Sequence, residues 1–157
     1  MSLESVKHYF LKHNMDNRIE LVENSTATVE EAAHEHGVNA DQIGKTLAFK
    51  LDQKAILIVV SGNTRIDNAK YKDQFLVKPT MLKPDEVLAQ TGHKIGGVCP
   101  FGLANDLTVY LDRSLQKHQQ VLPAAGNSHS AIKLTIEELE KHSNFSAWVD
   151  VGKISPN

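Results

Sequence analysis

The 157-residue chain holds a single cysteine, Cys99, so it can close no internal disulfide and cannot by itself build a cysteine-based zinc site. That agrees with a reducing compartment. No apolar run approaches the roughly 20 residues of a membrane span, and Met1-Ser2-Leu3-Glu4-Ser5-Val6-Lys7 lacks the apolar stretch of a secretory leader, so a cytoplasmic protein is expected. There is no internal repeat, low-complexity tract or Ser/Gly-rich linker, and one domain over residues 1–157 is expected. Neither GxGxxG after a strand nor GxxxxGK[ST] occurs, which removes the main support for nucleotide-cofactor folds. The excess of one sign of charge over the other is also small. A net charge of −2 argues against a protein that grips long stretches of nucleic acid through many phosphate contacts.

What is present is ordinary for a globular domain, with 41% hydrophobic and 23% charged residues, enough to fold without a partner. The charge is uneven. Residues 1–40 carry three Lys/Arg against seven Asp/Glu, whereas residues 41–100 carry nine against six. Either this is the scatter of a solvated surface, or a polyanion meets the middle of the chain.

Hydrophobic spacing sets out the elements. Leu3, Val6 and Phe10 recur at helical spacing behind a Ser2 cap, and residues 18–22 alternate as a short strand. Thr28-Val29-Glu30-Glu31 fits a capping box for a helix that Gly37 stops. A short helical turn over residues 39–43 leads to a strand at 45–51, a tight connection at Asp52-Gln53-Lys54 and an apolar strand at 55–60, together a hairpin. Helices are expected at 67–73 and 84–91, the second with Pro84 at its first position and Gly92 past its end, and after a Thr135-Ile136-Glu137-Glu138 cap. Further strands are expected at 75–78, 107–111, 131–134 and 148–151. Paired strands with helices inserted at irregular intervals predict an α+β fold, a single compact domain with a mixed, mainly antiparallel sheet flanked by helices.

Two features could carry chemistry. Four glycines and Pro100 fall within Gly92 to Gly102, giving a loop whose unobstructed amides could cradle an oxyanion or phosphate, unless it is a plain connection. Lys45 begins a core strand; its ammonium either snorkels to solvent or holds a phosphate or carbonyl. Cys99, inside the loop, is either a small packed hydrophobe or a nucleophile. His34 and His36 lie two apart on a helix, about 200° around it, and cannot share one ion, so no metal is expected. His129 between Ser128 and Ser130 lacks a GxSxG elbow and reads as a solvated loop.

Taken together, Asp41-Gln42-Ile43-Gly44-Lys45-Thr46-Leu47, Ser61-Gly62-Asn63-Thr64-Arg65-Ile66-Asp67, Gly92 through Gly102, and Ala124-Ala125-Gly126 resemble, in order and spacing, the YbaK/prolyl-tRNA synthetase-associated family. The resemblance spans roughly residues 20–140, and Gly96 to Pro100 is similar to its GxxxP element. It implies a cofactor-free, metal-free deacylase of misacylated tRNA, mostly tRNA for proline, with the aminoacyl-tRNA acceptor end as partner and a synthetase as a further candidate. On this resemblance Lys45 would bind the terminal nucleotide, and Gly96, Gly97, Val98, Cys99 and Pro100 would hold the ester carbonyl through backbone amides. Gly102, Gly126, Asn127 and Ser128 would lie near the aminoacyl group. Thr26 and Thr28 are pocket candidates by position, although Thr28 is also the helix cap. Alanine, serine, threonine and cysteine esters all stay open, as does a non-catalytic aminoacyl- or nucleotide-binding module.

Overall fold

The computed structural model describes residues 2–154. Helix α1 (Ser2–Leu11) drives Val6 and Phe10 fully into the core, with Ser2 as its first helical residue rather than its cap. After β1 (Ile19–Leu21) comes α2 (Val29–His36), opened by the expected box: Glu31 N donates to Thr28 Oγ1 at 3.1 Å and Thr28 N donates to Glu31 Oε1 at 3.2 Å. Gly37 ends it at φ +67. The hairpin forms as β2 (Ile43–Leu51) and β3 (Lys54–Ser61), followed by β4 (Thr64–Ile66), α3 (Asn68–Phe75) and α4 (Pro84–Thr91). Then come β5 (Thr108–Asp112), β6 (Gln120–Pro123), β7 (Ser130–Ile132), β8 (Leu134–Thr135), α5 (Ile136–His142), β9 (Phe145–Val149) and β10 (Gly152–Ile154).

One expected strand is absent. Residues 75–78 carry a strand-like composition, but α3 runs through Phe75 and Leu76 turns left-handed at φ +68, 81% exposed. An apolar run forms a strand only where a sheet edge is in reach, and this segment reaches one only later, where Met81 bridges Phe49. The expected strand at 131–134 is split between β7 and β8, which pair with different partners, and the one expected at 148–151 begins three residues earlier and ends at Val149, as β9.

The main sheet has the order β8-β6-β2-β3-β5-β9, with β1-β7 and β10-β4 as two-stranded companions. Four of the seven strand pairings are antiparallel, giving the mixed α+β domain. On β2, alternation sends Ala48 into the larger core with Phe10, Leu57 and Val59, and Leu47 and Phe49 into a second cluster with Ile58 and Tyr71. Among the described residues no helix is long and apolar enough to cross a membrane.

The entry to β2 is held by Asp41, whose carboxylate accepts Ser61 Oγ (2.9 Å), His118 Nε2 (2.9 Å) and Lys117 Nζ (2.7 Å). Burial alone would raise its pKa, but these three donors outweigh burial and hold it at about 2. A carboxylate depressed in the folded state stabilises above its unfolded pKa, about 3.9, and loses that contribution as pH falls through its folded value. Urea unfolding of wild type and Asp41→Asn should therefore show a stability gap at neutral pH that closes between about pH 4 and about pH 2. A gap independent of pH would contradict the network.

Candidate functional site

On the edge of β2 away from β3, the strand has partners among the described residues only at its two ends. β6 pairs with it at Ile43 and Gly44, and the segment around Met81 joins at Phe49, through Leu82 N to Ala48 O (3.0 Å) and Lys50 N to Thr80 O (2.8 Å). Between them opens a cavity of about 290 Å³. Its walls come from α2 (Val29, Ala32), β2 (Ile43 to Ala48), the Met81–Leu82 segment, the glycine loop (Ile95, Gly96, Val98) and the β6–β7 region (Leu122, Ala124, Ser130). The lining is mainly aliphatic, with Thr26, Thr28, Lys45, Thr46 and Ser130 as its polar members.

Lys45 is half-buried at this cavity, and its ammonium has no hydrogen bond or ion pair among the described residues. Burial pulls its ammonium below the ordinary lysine value, with Glu30 pulling weakly the other way. An unpaired cation in partly apolar surroundings lowers its energy by meeting an anion or a carbonyl dipole.

Three segments far apart in sequence are tied together at the cavity rim. Thr26 N donates to Ser128 O (2.6 Å), and Gly126 N donates to Gly97 O (3.1 Å). Gly97 must be glycine, because a Cβ there would stand 2.5 Å from Asn127 Cα. Its own amide is occupied by Lys94 O at 3.0 Å and Pro100 has none, so within Gly96 to Pro100 the amides without an acceptor among the described residues are those of Gly96 and Val98, on the cavity wall, and of Cys99, a fully buried residue. The far end of the loop is clamped by His93, fully buried, whose Nε2–H donates to Phe101 O at 2.8 Å. Burial lowers its pKa against the pull of that carbonyl, keeping the ring neutral.

The sequence-derived candidates thus divide. Lys45, Gly96, Val98, Thr26 and Thr28 line the cavity. Asn127 and Ser128 stand behind the loop, against Gly97 and Gly96. Gly102 and Gly126 pack instead on α1, where an added Cβ would fall 2.7 Å from Ser5 C and 2.6 Å from Ser2 O. The Cys99 thiol points into the core, and burial pushes it up to about 12 despite the Phe101 carbonyl. His36 is buried against Glu20 (3.1 Å) while His34 faces solvent, and among the described residues no three His, Cys, Asp or Glu groups gather around a metal position. Sequence reasoning missed Thr46, Met81, Ile95 and Ser130. Alternation could place Thr46 opposite Lys45, but no sequence signal says where a neighbouring strand stops.

The profile described as aminoacyl-tRNA editing domain matches residues 23–142. The chain is 50% identical over 154 residues to the uncharacterized protein YwhH of Bacillus subtilis (strain 168), covering 98% of each. It is 30% identical over 131 residues to the proline--tRNA ligase of Solidesulfovibrio magneticus, covering 82% of this chain but only 22% of the ligase. A solved structure described, provisionally, as a trans-editing enzyme for prolyl tRNA synthetase superposes with a TM-score of 0.87 at 29% identity, covering 97% of both chains.

The buried, protonated thiol generates a direct expectation. Cys99 should resist iodoacetamide in the native protein at about pH 8, where an ordinary thiol reacts, and become reactive once urea unfolds the chain. Rapid labelling of native protein would contradict the placement.

Proposed function

Because the chain belongs to the aminoacyl-tRNA editing domain family, we propose that it is a trans-editing hydrolase that deacylates misacylated tRNA, with tRNA for proline carrying a small wrong amino acid as the first substrate to test. The observation that carries this reading is the unpaired, half-buried Lys45 ammonium beside an apolar cavity rimmed by the loop amides. Lys45 binds the terminal nucleotide of the acceptor end. The acyl group enters the cavity past Thr26 and Thr28, and the free amides of Gly96, Val98 and Cys99 face its carbonyl.

Hydrolysis then needs no protein nucleophile. Water adds to the acyl carbon, the charge that develops on the carbonyl oxygen is held by the amides, and the bond to the ribose oxygen breaks as that oxygen takes a proton. The neighbouring ribose hydroxyl and a backbone-held water pass the protons, releasing free amino acid and uncharged tRNA. The protein contributes position and oriented dipoles. A net charge of −2 suits a contact confined to the acceptor end.

The test is a deacylation panel of tRNAs charged with alanine, serine, threonine and cysteine beside their correctly charged counterparts. At least one mischarged tRNA should be hydrolysed, and a folded Lys45→Ala variant should be slower by about 10²-fold, the scale of one oriented charge contact. Wild-type turnover by that variant would remove the role of Lys45; binding without turnover of any ester would favour a non-catalytic module. Activity should also survive exhaustive chelation, and a loss restored by zinc or manganese would sink the metal-free mechanism.

A further inference from the structure

The open edge of β2 has a chemical consequence for the ligand. In an antiparallel ladder, successive residues turn their N–H and C=O groups alternately to the two neighbours. Ala48 O and Lys50 N face the Met81 segment, so the main chain of Thr46, two residues earlier, faces the same side. There it meets no strand: β6 has stopped at Gly44↔Pro123, and the Met81 segment has not yet joined. Thr46 lines the cavity instead: the alternation turns its N–H and C=O to that side, and its Oγ1 is buried without a hydrogen-bond partner among the described residues. Main-chain polar groups are nearly always paired, with protein or with water. Here the pairing is left for an occupant.

An α-aminoacyl ester presents the same two groups as one residue of a strand, a donor ammonium and an acceptor carbonyl on either side of a single α-carbon. Resting on the proposed function, we infer that the aminoacyl group docks on β2 as a one-residue strand: its α-ammonium donates to Thr46 C=O, and its ester carbonyl accepts from Thr46 N–H. This is strand addition reduced to one pair. The carbonyl oxygen keeps a second lone pair for the loop amides, so Thr46 N–H is a further donor to the oxyanion. Directly opposed residues of an antiparallel pair project side chains to the same face. The acyl side chain of an L residue therefore lies with Thr46 and Ala48, toward Leu82 and Val98. The site accordingly selects a free α-ammonium of L configuration, whatever small side chain it accepts.

The experiment compares, at one side chain, acceptor-stem esters of the L-amino acid, its α-hydroxy acid and its N-acetyl derivative, each rate divided by that ester's spontaneous hydrolysis. The free amino acid ester should exceed both others by about 10- to 100-fold in kcat/KM, the range of a charge-assisted hydrogen bond. On the protein side, Thr46→Pro deletes an N–H that makes no ladder bond, a change tolerated at an open edge. It should keep its circular dichroism while turnover of the amino acid ester falls by about tenfold or more. Thr46→Val, which keeps both main-chain groups, should retain the preference for the free ammonium. Equal normalised rates for the three esters would overturn the inference while leaving the deacylase reading intact, as would a folded Thr46→Pro with wild-type turnover. If Thr46→Pro does not fold, the ester series alone decides. Hydrolysis of none of the esters would remove both readings.

Discussion

Eight consecutive residue pairs, from Gly44↔Ser61 to Leu51↔Lys54, bind β2 to β3, and the rest of the site depends on that ladder. The hairpin is closed by the tight Asp52-Gln53 connection, with Asp52 left-handed at φ +56, so a one-residue slip would turn every β2 side chain to the opposite face. With register fixed, Leu47 and Phe49 are committed to one core and Ala48 to the other. The opposite edge of the strand is then free to carry function. β6 and the Met81 segment each claim one end of it, and the cavity occupies what they leave.

Around this edge the molecule assembles donors rather than nucleophiles. Its one thiol is buried and held protonated, and the loop histidine is neutral and committed to Phe101 O. The cavity is lined by Lys45, by the hydroxyl residues Thr26, Thr28, Thr46 and Ser130, and by Gly96 and Val98 of a loop tied in place by the hydrogen bonds Thr26 N to Ser128 O and Gly126 N to Gly97 O. Aliphatic walls lower the local dielectric, which strengthens each of these dipoles toward a developing charge. Folding fixes their orientation before any ligand arrives, so under the proposed function little reorganisation would be left for the reaction step.

Much of this was legible in the sequence because it rests on local rules. The Thr28 box, the Gly37 stop, Pro84 and Gly92 at the ends of α4, and the β2–β3 hairpin all depend on residues a few positions apart. Lys45 and Gly96 stand out locally as a lysine at a strand start and a loop glycine, but their site roles come from the family resemblance, and Thr26 and Thr28 are candidates by position. The failures lie where a distant partner decides. Residues 75–78 have strand composition and no edge to join, whereas Gln120–Pro123, which carries no strand expectation, becomes β6 by pairing with Ile43 and Gly44. Gly102 and Gly126 look like loop glycines of a site, but the close approach of α1 sets them. Thr46 was invisible as a site residue since its part comes from the absence of a neighbour along the strand.

The central claim is that one cavity at the open edge of β2 receives the ester-bearing end of the substrate. A crystal structure with a non-hydrolysable aminoacyl-adenosine analogue tests it most directly. The account predicts the acyl group between Thr46 and the Gly96 loop, its carbonyl within hydrogen-bond distance of a loop amide, and the nucleoside beside Lys45. Density for the analogue elsewhere, such as the polar groove bordered by Arg113, Lys117 and Lys153, with the β2 cavity empty, would contradict it.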